Sequence, residues 1–219
     1  MKIFIDTLDL KEIKRFSNII SGVTTNPTMA RKFGMDDPLK MVRDIREILG
    51  NKEIHVEAFG DTADEILHNS DQLLSTGKNL VFKIPFTESG VEAANNLIQM
   101  GHKTNLHLVF SLNQALIATA IKSTYICPLV GRLDDIGGNA LQQIQEMNKC
   151  ICYHETEVMV SSVRHPQHVE LAWKAGADAI TIPPHVLEQM FYHPLTEKGI
   201  NTFRDDINLM MRHESSKTE

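Results

Sequence analysis

Asn79-Leu80-Val81-Phe82-Lys83-Ile84-Pro85 is a short, nearly continuous apolar run, and the residues after it carry a helix start at Ser89 and Glu92 and a helix stop at Gly101. A run of this length bounded by turn and cap residues reads as a strand buried on both faces, feeding a helix. The same unit recurs along the chain, with further apolar runs at residues 2–6, 22–25, 54–59, 105–110, 124–130, 158–163 and 178–183. Eight strands alternating with helices is the count of a closed (β/α)8 TIM barrel. The intervening segments have helical period, as in Leu39, Val42, Ile45 and Leu49, in Ile66, Leu67, Leu73 and Leu74, and in Val169, Ala172 and Trp173. Thr62 with Glu65, Ser89 with Glu92 and Ser111 with Gln114 fit capping boxes. Pro166 suits a first turn, and Gly50, Gly77, Gly101 and Gly176 follow helix ends. An open doubly wound sheet also alternates strands and helices, but no Gly-rich phosphate loop follows the first run.

Composition narrows the function classes. The chain has 219 residues, 42% hydrophobic and 23% charged, as one globular domain does. Residues 1–211 read as the barrel with an extra C-terminal helix, and residues 212–219 as a polar, frayed tail. The net charge of -6, without any basic run interleaved with aromatics, argues against a nucleic-acid partner. The first residues turn polar at Asp6, too early for a signal-peptide core or a membrane span, so the expected location is cytoplasmic. Three cysteines without a C-x-x-C read as free thiols. Cys150, Cys152 and His154 would share a face of an extended strand and could ligate zinc, but Ile151 and Tyr153 alternate with them as in an ordinary half-buried strand, so no metal is expected. His165, His168, His185 and His193 lie near helix ends and read as surface or capping residues.

A barrel places its chemistry at the C-terminal ends of the strands. Polar residues ending the apolar runs are Asp6, Thr25 and Asn26, Glu57, Lys83, Asn105 and His107, Arg132, Ser162 and Arg164. Lys83 stands out, because a lysine inside a strand cannot easily carry its charge to water. Burial favours a neutral amine, and a neutral amine attacks a carbonyl carbon to form a Schiff base. Asp6 ends the first run and Glu57 lies in the run 54–59, and from their different strands both could face the same barrel mouth and divide the proton transfers of that chemistry. The plainer readings are that Lys83 and Glu57 form a buried ion pair and that Asp6 caps a helix.

Phe4-Ile5-Asp6-Thr7, Gly22-Val23-Thr24-Thr25-Asn26-Pro27-Thr28, Val81-Phe82-Lys83-Ile84-Pro85, Leu108-Val109-Phe110-Ser111, Val130-Gly131-Arg132-Leu133-Asp134-Asp135 and Arg164-His165-Pro166 resemble the small transaldolases and their sister fructose-6-phosphate aldolases. The match runs in order from Met1 to about Met211. The resemblance implies a barrel without metal or organic cofactor, acting on sugar phosphates in the pentose phosphate pathway. It also implies a ring-like homo-oligomer, pentameric or decameric, with a C-terminal helix around residues 201–211 reaching toward a neighbour.

Carried over residue by residue, the resemblance makes Lys83 the Schiff-base lysine, Asp6 the acid/base for the carbon–carbon bond, and Glu57 the group acting through a water on the carbinolamine. Asn26 and Asn105 would hold the hydroxyls of the retained dihydroxyacetone unit, and Arg132, Ser162 and Arg164 the phosphate. Glutamate at 57 points to transaldolase, since the aldolases tend to carry glutamine. The chain departs from the family at three positions. His107 replaces the threonine that holds the catalytic water, and is expected to take over that role unless it is a core histidine bonded to Glu57. Cys127 stands for a serine, and Leu129 for the phenylalanine of transaldolases or the tyrosine of aldolases. Those departures keep open a second function class, a catalytically impaired barrel that binds sugar phosphates.

Overall fold

A computed structural model describes residues 1–35, 37–151 and 154–215, with the side chains of 212–215 left aside. Eight parallel strands close into a barrel in sequence order: β1 (Lys2–Asp6), β2 (Gly22–Thr24), β3 (Glu53–Glu57), β4 (Leu80–Pro85), β5 (Lys103–Val109), β6 (Tyr125–Pro128), β7 (Glu157–Val160) and β8 (Ala179–Ile182), with β8 pairing back on β1. The helices are α1 (Leu10–Phe16), α2 (Pro27–Lys32), α3 (Pro38–Leu49), α4 (Ala63–Leu74), α5 (Glu88–Gln99), α6 (Leu112–Ala120), α7 (Val130–Asp135), α8 (Ala140–Ile151), α9 (Pro166–Lys174), α10 (Pro184–Gln189) and α11 (Pro194–Ser215).

Period-two alternation divides the core into two layers. Ile5, Val23, Ile54, Val56, Phe82, Ile84 and Leu106 point outward and pack under the helices. Phe4, Val81, Tyr125, Cys127, Met159 and Ala179 point inward and fill the barrel. Gly22 has to be glycine for this filling, since a Cβ there would meet the Glu53 carbonyl oxygen at 2.1 Å and the Phe4 ring at 2.9 Å. Below the rings, Glu53 accepts from Tyr125 at 2.8 Å and from Lys103 at 2.5 Å. Burial alone would raise that carboxyl, yet the neighbouring His55, Lys103 and Tyr125 hold it at about 2.

Several local expectations change. Thr62 and Glu65 do form a reciprocal capping box. Thr87, not Ser89, caps α5, its hydroxyl accepting from the Gly90 N–H at 2.9 Å. Ser111 caps α6, but Gln114 reaches the Phe110 N–H instead of closing a box. Asp9, not Asp6, caps α1, which leaves Asp6 free for other contacts. Trp173 is 73% exposed, because α9 buries Val169 and Ala172 and turns the indole outward. Cys150 and Ile151, the start of the stretch read as extended, are the last residues of α8, where Ala140, Ile144, Met147 and Ile151 are buried at helical spacing. Cys152 and Tyr153 lie outside the described residues, as do residues 216–219 of the expected tail, while α11 runs past Met211 to Ser215. Among the described residues no helix is long and apolar enough to cross a membrane.

Candidate active site

The C-terminal ends of the strands enclose a cavity of about 390 Å³. Asp6, Asn26, Glu57, Lys83, Asn105, His107, Arg132 and Ser162 line it, together with Thr24, Cys127, Leu108, Leu129, Ser161 and Thr181. Register brings the central groups together, since Glu57 on β3 pairs with Lys83 on β4, and Lys83 with Asn105 on β5. Lys83 Nζ donates to Glu57 Oε2 at 2.8 Å, and His107 Nε2 lies 2.7 Å from Glu57 Oε1. Glu57 is thus bonded on both oxygens. The buried ion pair and the His107–Glu57 bond of the plainer readings are both present, and both sit in the cavity wall.

The two carboxylates are driven in opposite directions. Burial raises the Asp6 carboxyl above its ordinary range, against the lowering effect of the Thr24 hydroxyl at 2.7 Å and of the Lys83 charge. Burial also pushes on Glu57, but the His107 bond and the Lys83 charge outweigh it and keep that carboxyl below its ordinary value. Unequal environments of this kind let one carboxyl take up protons while its neighbour stays ionised. His107 is itself driven below the usual imidazole value by burial, although Glu57 opposes the shift. A neutral His107 that donates Nε2–H to Glu57 keeps a lone pair on Nδ1. The buried Cys127 thiol is pushed up to about 11 by desolvation, which removes it as a nucleophile near neutral pH.

Each group is set by its element. Asn26 caps α2, its Oδ1 accepting from the Met29 N–H at 2.9 Å, so the side chain offers its amine as donor. A bulge in β5 between His107 and Val109 places Leu108 at φ 61 and in the cavity wall. Gly131 lets α7 lie against Ser162, since a Cβ there would meet the Ser162 carbonyl oxygen at 2.4 Å. Arg164 does not line the cavity. Its guanidinium grips Asp135 with both amines, at 2.5 and 2.6 Å, on the exposed rim.

Thr24 and Thr181 are the contributors that sequence reasoning passed over. Thr24 donates to Asp6 and meets Thr181 at 2.6 Å, whereas Thr25 turns away to the His55 carbonyl. Alternation from Asn26 back to Thr24 was the available signal. His168 is also corrected, being buried rather than at the surface. Its Nδ1 accepts from the Arg164 N–H at 3.3 Å, so Nε2 carries the proton and donates to Asp134 at 2.7 Å. Asp134, His165 and His168 bring possible ligand atoms within 4.8 Å of one another. With Nε2 protonated, His168 has no lone pair to give a cation there, and the set serves to tie α7 to the loop before α9.

Fold and site together define a (β/α)8 barrel with an amine bonded to one carboxylate at its mouth and a second carboxylate, Asp6, lining the same cavity. The chain belongs to the transaldolase/fructose-6-phosphate aldolase family, whose model matches residues 3–218. A probable transaldolase of Methanococcus maripaludis is 41% identical over 216 residues, covering 97% of this chain and all of that protein. Probable transaldolases of Exiguobacterium sp. and Brachyspira hyodysenteriae are 40% and 42% identical, over 95% and 94% of this chain and 98% and 97% of theirs. A thiamine phosphate pyrophosphorylase from Pyrococcus furiosus superposes with a TM-score of 0.60 at 14% identity, over 83% of this chain and 85% of that one. The orotidine 5'-monophosphate decarboxylase from Metallosphaera sedula gives 0.59 at 10%, over 83% and 87%. These two likenesses concern the fold alone.

Proposed function

We propose that the protein is a transaldolase that carries a dihydroxyacetone unit from a ketose phosphate to an aldose phosphate on a Lys83 Schiff base, as a cytoplasmic step of the pentose phosphate pathway. The observation that carries this reading is the Lys83–Glu57–His107 cluster facing the same cavity as Asp6, in a chain of this family. Glu57 takes the proton from the Lys83 ammonium, and the freed amine adds to the ketose carbonyl. Glu57 then returns that proton, through the water that His107 holds, to the departing hydroxyl, so that water leaves and the iminium forms. Asp6 removes the proton of the hydroxyl beyond the breaking bond, and the iminium accepts the electron pair. The aldose phosphate departs, and the enamine left on Lys83 adds to a second aldose while Asp6 returns the proton.

In this reading Asn26 and Asn105 hold the three-carbon unit, and Arg132, Ser162 and Arg164 receive the phosphate. Arg132 is already in the cavity wall, while Arg164 has to exchange Asp135 for the substrate. Arg132→Ala is therefore expected to raise KM for phosphorylated sugars by about 1.5–3 kcal/mol, and Arg164→Ala by less, with unphosphorylated dihydroxyacetone little affected. Equal losses with both kinds of substrate would assign these arginines to the fold.

His107 Nδ1 accepts the hydrogen bond of the water that the family's threonine holds. Protonation removes that acceptor, so activity falls as pH drops through the His107 pKa, which burial holds below the usual imidazole value. Asp6, raised by burial, adds its own acid limb. His107→Thr should keep turnover and show the shallower limb of Asp6 alone, whereas His107→Ala should lose about tenfold in kcat. Identical pH profiles and rates in all three proteins would make His107 structural.

The partners in this reading are sugar phosphates and further copies of the same chain, arranged in a ring. Ile200, Phe203, Ile207 and Met210 recur at coiled-coil spacing along α11 and are at least half exposed, as a helix docking on a neighbour would be. The activity is tested by following glyceraldehyde 3-phosphate release from fructose 6-phosphate with and without erythrose 4-phosphate. Release that needs the acceptor supports transaldolase. Release without it means a fructose-6-phosphate aldolase, and none with either leaves a barrel that only binds.

A further inference from the structure

Asn105 lines the cavity at complete burial, and its two amide atoms are treated differently. Nδ2 lies 3.0 Å from His55 Nδ1 and 3.4 Å from Met159 Sδ, whereas Oδ1 has no partner. His55, also fully buried, stands edge-on to the Phe4 ring at 4.8 Å and against Tyr125 at 5.1 Å, so it cannot turn without disturbing the barrel filling. Its Nε2 faces Glu53 Oε2 at 3.5 Å, too far for a well-formed hydrogen bond but close for the attraction of a carboxylate.

We propose that His55 is a positioning residue that locks the Asn105 amide with its oxygen toward the cavity, so that the site reads a hydroxyl hydrogen of the donor ketose there. Glu53, kept ionised by Lys103 and Tyr125, favours the imidazole proton on Nε2. The lone pair then sits on Nδ1, where it can only accept, and Asn105 must offer its amine. Met159 sulfur favours the same orientation. The buried Oδ1 is left to accept from a ligand, and an analogue without the hydroxyl leaves it unpaired. Asn26, whose oxygen is spent on α2, offers a donor to the same cavity. The pair thus presents one acceptor and one donor to the three-carbon unit. His55 touches neither Lys83 nor the substrate path in this scheme and acts through Asn105.

This inference rests on the Schiff-base reading for its substrate, so the experiment has two arms. The first is the His55 tautomer in the free protein, read from the imidazole nitrogen shifts by 15N NMR. The Nε2–H form is expected, and a proton on Nδ1 overturns the proposal whatever the activity of the protein. The second is borohydride trapping titrated with dihydroxyacetone and with hydroxyacetone, which lacks one hydroxyl. The wild type should half-saturate with dihydroxyacetone at about tenfold lower concentration. His55→Phe, which keeps ring packing but has no acceptor, should bring the ratio near one by weakening dihydroxyacetone alone. His55→Asn restores an acceptor at the Nδ1 position and should restore the preference. An unchanged ratio in His55→Phe overturns the proposal, as does an equal effect on both ketones, which marks a merely structural role. If no ketone is trapped on wild-type Lys83, the Schiff-base reading falls, and the tautomer still decides for or against His55.

Discussion

Lys83→Met is expected to abolish transfer, with a loss on the order of 10^4-fold or more in kcat, because no other side chain in the cavity can supply the covalent link. Methionine keeps the length of the stem and removes the amine. Glu57 would lose one of its two partners but keep His107 at 2.7 Å. The stability cost should therefore stay below the roughly 3–5 kcal/mol of a fully orphaned buried charge. A thermal melt close to wild type beside absent turnover separates chemistry from folding. Substantial residual activity in a well-folded Lys83→Met protein would show that the bond is broken some other way.

Asp6→Asn should lower kcat by about 10^2–10^4-fold while leaving Schiff-base formation intact, since Asp6 acts on the carbon–carbon bond and Glu57 on the carbinolamine. The substitution preserves shape and keeps a side-chain oxygen 2.7 Å from the Thr24 hydroxyl. The two steps are separable by experiment. Asp6→Asn should still be trapped by borohydride with fructose 6-phosphate but release little aldose phosphate. Loss of trapping together with turnover would move Asp6 into the first step.

Lys83 and Asp6 are both legible in the amino-acid sequence itself. Lys83 was conspicuous because a charge interrupts an apolar run, and such an interruption has no inexpensive explanation in a buried strand. Asp6 and Glu57 were placed by the same logic, at the C-terminal ends of β1 and β3. The eight repeats of strand and helix gave the barrel, because burial on both strand faces and one face of each helix leaves its mark in composition. Thr24 was hidden by a neighbour of the same type, with only the alternation of β2 to tell that Thr24 faces Asp6 and Thr25 does not. Sequence also concealed the bond between Arg164 and Asp135, which depends on how α7 and the loop before α9 come together. His55 could not have been singled out, because its meaning lies in the contact with Asn105, 50 residues away, and in a Glu53 whose charge is held by Lys103 and Tyr125 from other strands. The zinc-like spacing of Cys150 and His154 dissolved for the opposite reason. A two-residue period was read from Cys150 onward, where Cys150 and Ile151 still belong to α8, whose buried side chains follow a helical one.

Reduction of the covalent intermediate is the most direct test of the account. Wild-type protein treated with borohydride in the presence of fructose 6-phosphate should gain the mass of a reduced ketose adduct, and peptide mass spectrometry should place it on Lys83 alone. An adduct on another lysine, or none from a preparation that turns over substrate, would contradict it.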